Sequence, residues 1–311
     1  MTDLHTAVQE YIVLRHAVGF KLDRVERQLL DFVEFLRSRG ATRVTCELAL
    51  SWGTLPRDVK PGWWKTRLSV VRCFARYLSA LDPLTQVPTT DLLPRLNRGS
   101  RRAVPYPYSE GEVAALMAAA RVIRSAMTAA TCETLIGLLA TTGMRVGESL
   151  RLDRDDVDDG RGLLIVRHSK FARSREIPLH ESSLDALHRY GRTRDRHFPT
   201  PKSPSLLINK AGGRLTYRPV LWLFHRLVRQ AGLGPRSDRC RPRLHDLRHR
   251  FAAITLEDWY RSGVDVPPRL PLLSTYLGHI DPQSTYWYLS ASPQLLTAAA
   301  QRLEATLGTP T

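Results

Sequence analysis

Arg145 and Glu148 stand three residues apart in the run Thr141-Thr142-Gly143-Met144-Arg145-Val146-Gly147-Glu148. Gly143 reads as the end of one helix, and a second starts at once with Arg145 at its mouth. A guanidinium fork and the N–H groups of a helix N-terminus both suit a phosphate. Glu148, one turn on, could hold Arg145; read alone, the two are more simply an i, i+3 surface ion pair. Lys170 falls at the tip of an expected hairpin. There an ammonium is either a solvated turn or a group delivered into a site elsewhere. In Arg243-Leu244-His245-Asp246-Leu247-Arg248-His249, His245 and Arg248 share a helix face. The surrounding stretch, Arg236 to Arg250, holds six arginines against Asp238 and Asp246. His245 to His249 also mimics the zinc motif HExxH with Asp for Glu. Aspartate is a methylene shorter than the usual base, no third ligand stands out and the flanks repel a cation, so no metal is expected. Last come Tyr276-Leu277-Gly278-His279 and Tyr286-Trp287-Tyr288. Clustered aromatics ordinarily fill a core, and a histidine after a helix-ending glycine is ordinarily a surface group.

The elements that must position these residues are mostly helices. Val25, Leu29, Phe32 and Leu36 recur at helical spacing behind Asp23 as a cap and before Gly40. Leu4, Val8, Tyr11 and Val18 suggest an earlier helix, and Thr45 caps a short one through Trp52. A fourth runs from Trp63 to Ala80, with Leu68, Val71, Phe74, Ala75 and Leu78 on one side and Lys65, Arg72 and Arg76 on the other. That basic side is either a solvated face or a phosphate-contacting one. Five prolines between Asp82 and Tyr108 discourage both helix and central strand. Ser109 and Glu112 then form a capping-box signature. The division expected is a helical domain over 1–90, a linker over 91–108 and a second domain over 109–311. In the second domain, Leu163–Ser169 and Arg175–Leu179 read as a hairpin about a turn at Phe171–Ser174. Helices follow near 181–195, 217–231, 245–262 and 269–277. A last helix opens at Ser292-Pro293 and closes at Gly308, with Leu296, Ala300, Leu303 and Leu307 in one stripe.

The 311 residues are 43% hydrophobic and 24% charged, which suits two globular domains and excludes wholesale disorder. No apolar run approaches a membrane span, and the N-terminus has no signal-peptide core, so a cytoplasmic protein is expected. Cys46, Cys73, Cys132 and Cys240 lie far apart, which argues against a disulfide framework. Lys and Arg number 46 against 30 Asp and Glu, a net charge of +16 that favours a polyanion, with nucleic acid first.

The order and spacing of Arg145-x-x-Glu148, Lys170, His245-x-x-Arg248, Leu277-Gly278-His279 and Tyr288 resemble the tyrosine recombinase (phage integrase) superfamily. The segment Tyr276 to Leu296 looks most like the transposon-borne members. The resemblance implies a mainly α fold: an N-terminal helical core-binding (SAM-like) domain that binds DNA, plus a mixed α/β catalytic domain with a small β-hairpin or sheet. It implies a site-specific recombinase or integrase that cleaves and rejoins DNA through a 3′-phosphotyrosyl link to Tyr288, without metal, ATP or other cofactor. Arg145, His245 and Arg248 would hold the phosphate, Lys170 would protonate the leaving 5′-oxygen, and His279 would assist at the phosphate or the tyrosine. Glu148 would orient Arg145. Lys65, Arg72 and Arg76 would bind DNA. The partners implied are double-stranded DNA, further copies of the chain as a dimer or tetramer on DNA, and other recombinases of the same element. A type IB topoisomerase and a catalytically silent DNA-binding accessory protein are the alternatives. Relaxation of plasmid by a single protomer would mark the first, and lack of turnover the second.

Overall fold

The structure is a computed structural model that describes residues 3–20, 22–59, 61–93, 103–167, 174–279 and 285. The chain divides into two compact units, with the boundary between Arg101 and Arg102.

The first unit is built from four helices: α1 (Leu4–Ala17), α2 (Asp23–Ser38), α3 (Cys46–Thr54) and α4 (Pro61–Leu78). The apolar stripes expected on α2 and α4 meet in one core: Leu29, Phe32, Leu36, Leu68, Val71, Phe74 and Ala75 are fully buried. Burying a leucine, valine or phenylalanine side chain stabilises by about 1.5–3 kcal/mol, before the entropy of ordering the chain is subtracted. Thr45 caps α3, accepting from Leu48 N at 3.2 Å. Two local expectations are corrected. α2 begins at Asp23, so Leu22 occupies the cap position; and Val18 lies past the end of α1, exposed.

The described ends of the proline-rich stretch, 82–93 and 103–108, are more tightly held than their composition suggests. Gln86 bridges to Val44 and Cys46, and Leu93 joins the first core. Tyr106 and Tyr108 are buried in the second. Proline removes donors and disfavours helix, but it leaves the flanking aromatics free to pack.

The second unit has one main core and a smaller one. Around the main core lie α5 (Glu110–Arg121), α6 (Ala126–Thr142), the single turn α7 (Val146–Ser149), α8 (Glu181–His197) and α9 (Tyr217–Gln230). α5 starts at the expected capping box, with Ser109 and Glu112 each accepting from the other's backbone N–H. α10 (His245–Arg261) and α11 (Leu270–Leu277) close the smaller core around Leu256, Val266 and Leu273. The sheet is antiparallel in the order β1 (Val157–Asp158), β2 (Leu163–Val166), β3 (Arg175–Pro178). β2 and β3 form the expected hairpin, pairing Leu164 with Ile177 and Val166 with Arg175. β1, only two residues long, has no sequence periodicity to announce it. No described helix is long and apolar enough to cross a membrane.

Candidate active site

Four of the singled-out side chains come together in the second unit, each carried by a helix end or a helix face. α6 stops at Gly143, whose φ of +60° suits glycine. A Cβ there would also fall 2.5 Å from the ring of Phe251. The chain turns at once, and Arg145 becomes the residue preceding α7.

Glu148 accepts from the Arg145 backbone N–H at 2.8 Å and from Arg145 Nη1 at 2.9 Å. Arg145 Nη2 donates to Gly278 O at 2.8 Å. The Arg145 side chain keeps 30% of its surface exposed, whereas the Glu148 side chain keeps 1%. Burial alone would raise the Glu148 carboxyl. The hydrogen bonds and charges of Arg175 and Arg145 outweigh it and hold the group at about 2.

Arg248, on α10, is 2% exposed. Its Nη1 donates to Gly143 O at 2.9 Å and its Nη2 to Leu277 O at 2.7 Å. These carbonyls close the C-terminal ends of α6 and α11, where a cation satisfies unpaired acceptors and meets the negative end of the dipole. Nη2 also meets Nε2 of His279 at 2.8 Å, and His279 Nδ1 lies 2.8 Å from Thr285 Oγ1. Burial first, then the charge of Arg248, lowers His279 to about 4. His279 follows Gly278, which ends α11 at a φ of +66°.

His245 opens α10, exposed, one turn before Arg248, and its ring meets that of His249 edge-on at 4.8 Å. Asp246 is buried and receives both ends of the Arg243 fork, at 2.9 and 2.7 Å. Among the described residues no group of three or more His, Cys, Asp or Glu side chains forms a metal site.

Lys170, Tyr286, Trp287 and Tyr288, and the expected last helix with its Leu296–Leu307 stripe, lie outside the described residues. Lys65, Arg72 and Arg76 all lie on α4 in the first unit. Lys65 and Arg76 are exposed, while Arg72 spends two donors on the carbonyls of Pro88 and Thr89, both at 2.6 Å.

Arg175 belongs to this cluster, and no motif pointed to it. It donates from Nη1 to Glu148 Oε1 at 3.1 Å and from Nη2 to Glu148 Oε2 at 2.8 Å. Strand alternation was the one signal, and a weak one over four residues. Arg175 falls on the same face of β3 as the fully buried Ile177, opposite the exposed Glu176 and Pro178. Thr285, buried against His279, was also missed.

Residues 108–294 match the phage integrase family. The chain is 42% identical over 310 residues to the Sinorhizobium fredii protein named integrase/recombinase y4rB, covering 98% of each. It is 27% identical over 232 residues to the tyrosine recombinase XerC of Chlamydia caviae, covering 74% of this chain and 68% of that one. Among solved structures it is similar to the Tn1549 transposon integrase in complex with transposon right-end DNA, at a TM-score of 0.65 and 15% identity, over 99% and 100% of the two chains. The likeness extends to the XerH recombinase in a post-cleavage complex with its difH substrate, at a TM-score of 0.61 and 20% identity, over 89% and 78%. A two-unit helical fold with a small antiparallel sheet, the Arg145–Glu148–Arg248–His279 cluster and a family match over most of the chain agree: this chain belongs to the phage integrase family, the tyrosine-type site-specific recombinases.

Proposed function

We propose that the chain breaks and rejoins duplex DNA through a covalent 3′-phosphotyrosyl link to Tyr288. The phenol oxygen of Tyr288 bonds to the scissile phosphorus and passes its proton to water. The bond from phosphorus to the 5′-oxygen breaks, and that oxygen takes a proton from Lys170. Attack by a 5′-hydroxyl on the phosphotyrosine runs the steps in reverse. The phosphodiester energy stays in the link, so neither ATP nor another cofactor is needed.

Negative charge gathers on the non-bridging oxygens in the transition state, and fixed cations meet it there. Arg145, its side chain 30% exposed, and Arg248, with His245 beside it, would supply that clamp. Glu148 orients Arg145, and His279 assists at the phosphate or at Tyr288. The observation that carries the reading is the meeting of Arg145, Glu148, Arg248 and His279 from three separate segments.

The first unit, with Lys65, Arg72 and Arg76 on α4, would act as the core-binding domain on DNA, in the cytoplasm. The chain would work as a dimer or tetramer, with other recombinases of the same element as further partners. The λ integrase tetramer bound to a Holliday junction shares its fold. The test is covalent capture from a random-sequence duplex library without ATP and with chelator present. Protein-linked DNA with one recurring junction is expected. Absence of linked DNA at every protein concentration would reject the reading.

A further inference from the structure

Two guanidinium groups share one buried carboxylate, and one of them is the more open to solvent. Arg145 reaches Glu148 Oε1 and keeps 30% of its side chain exposed. Arg175 grips both Glu148 oxygens and keeps 12%. The Nε of Arg175 is also buried, with no partner among the described residues. Its donors are thus turned inward, which suits a residue that holds another rather than one that meets a substrate.

The backbone explains how it gets there. Arg175 is the first residue of β3 and pairs with Val166, the last of β2. It therefore stands where the chain returns from the hairpin tip that carries Lys170 in the sequence. Alternation along β3 aims it inward with Ile177. Gly278 leaves the room: a Cβ on it would lie 3.0 Å from Arg175 Nη1 and 3.4 Å from Arg145 Nη1. A bidentate grip also fixes a carboxylate's plane, which a single contact does not. With the plane set, Oε1 faces Arg145 Nη1 and Oε2 faces the Arg145 backbone N–H.

We propose that Arg175 is a positioning residue of the phosphate clamp: from the strand that returns from the hairpin, it holds Glu148 and, through Glu148, the guanidinium of Arg145. The proposal rests on the cleavage chemistry set out above. It adds that the clamp and the hairpin bearing the general acid are tied by one ion-pair bridge, so displacement of β3 disturbs Arg145.

The test is a double-mutant cycle read as the single-turnover rate of adduct formation on a nicked duplex recovered from the random-sequence capture. Arg175→Ala should slow cleavage about 10- to 100-fold, the range typical of residues that orient a reacting group, with duplex affinity changed less than about threefold. In a Glu148→Gln background the same substitution should cost less than about threefold, because the group it acts through is already altered. An equal loss in both backgrounds would overturn the proposal, since Arg175 would then act without Glu148. Arg175→Lys guards against a folding defect. It keeps the charge and the strand but offers one ammonium in place of the fork, so it should melt between Arg175→Ala and wild type and still cleave slowly. A wild-type rate in Arg175→Lys would also overturn it. Arg145→Ala, run in parallel, separates the two levels. Wild-type cleavage by Arg145→Ala would reject the phosphate clamp itself, whereas a dead Arg145→Ala beside fully active Arg175 variants would reject only the role of Arg175.

Discussion

Arg248 donates through Nη2 to Nε2 of His279 at 2.8 Å, and this contact settles which imidazole nitrogen carries the proton. Arginine has no acceptor, so Nε2 must offer its lone pair and the hydrogen sits on Nδ1. There it is donated to Thr285 Oγ1 at 2.8 Å. A ring held at about 4 by burial, and then by the neighbouring cations, is neutral at pH 7, as an acceptor must be. The chain Arg248–His279–Thr285 thus links the α10 guanidinium to a residue three positions before Tyr288.

Acid should weaken the fold through this ring. The folded pKa of His279 is about 4 against an ordinary 6.5, so the folded state holds fewer protons than the unfolded one. The stability this brings is complete above pH 6.5 and is lost as the pH falls through 4. Glu148, at about 2 against 4.5, extends the loss to lower pH. Thermal melts of wild type and His279→Gln at stepped pH check this. The gap between the two Tm curves should change across the His279 window, and a constant gap would contradict the assignment.

Arg248→Lys should be costly twice over. One ammonium cannot serve Gly143 O, Leu277 O and His279 Nε2 as the guanidinium does. Chemical denaturation should show a loss of about 2–4 kcal/mol, the scale of a disrupted buried polar network. Single-turnover cleavage should fall about 100-fold or more, as when a preorganised oxyanion donor is removed.

The basic face of α4 should respond unequally to substitution. If Lys65 and Arg76 neutralise phosphates, Ala at either position should shallow the slope of log affinity against log salt by about one. Arg72 already spends two donors on Pro88 and Thr89, so Arg72→Ala should shallow it less and lower Tm as the 86–93 segment loosens. Titrations at four salt concentrations with each variant, beside melts, separate these effects.

Lys170 should be replaceable by a better leaving group. Lys170→Ala should cleave ordinary DNA slowly, whereas a bridging 5′-phosphorothiolate, whose thiolate needs no proton, should restore the rate. Absence of rescue would move the acid role to another residue.

The fold was legible wherever a periodic apolar stripe met a clear stop. α2 and α4 show this, and the capping box at Ser109 is another local pattern that held. Caps governed by backbone angles were less so, as at Leu22. Arg145, Glu148, Arg248 and His279 could be picked out because their spacing in the chain is distinctive. What linked them could not: Arg248 is held by main-chain carbonyls, which every sequence has, and Arg175 sits on a four-residue strand, too short for alternation to stand out.

The proposed chemistry turns on Tyr288 as the nucleophile. On a helix, residues two apart point about 200° from one another, so Tyr286 and Tyr288 cannot both face one phosphate. The direct measurement incubates wild type, Tyr286→Phe and Tyr288→Phe with the same nicked suicide duplex and then digests any adduct to locate the modified peptide. An adduct on Tyr288 is expected in wild type, surviving in Tyr286→Phe and absent in a folded, DNA-binding Tyr288→Phe. An adduct that persists in Tyr288→Phe and disappears in Tyr286→Phe would contradict it.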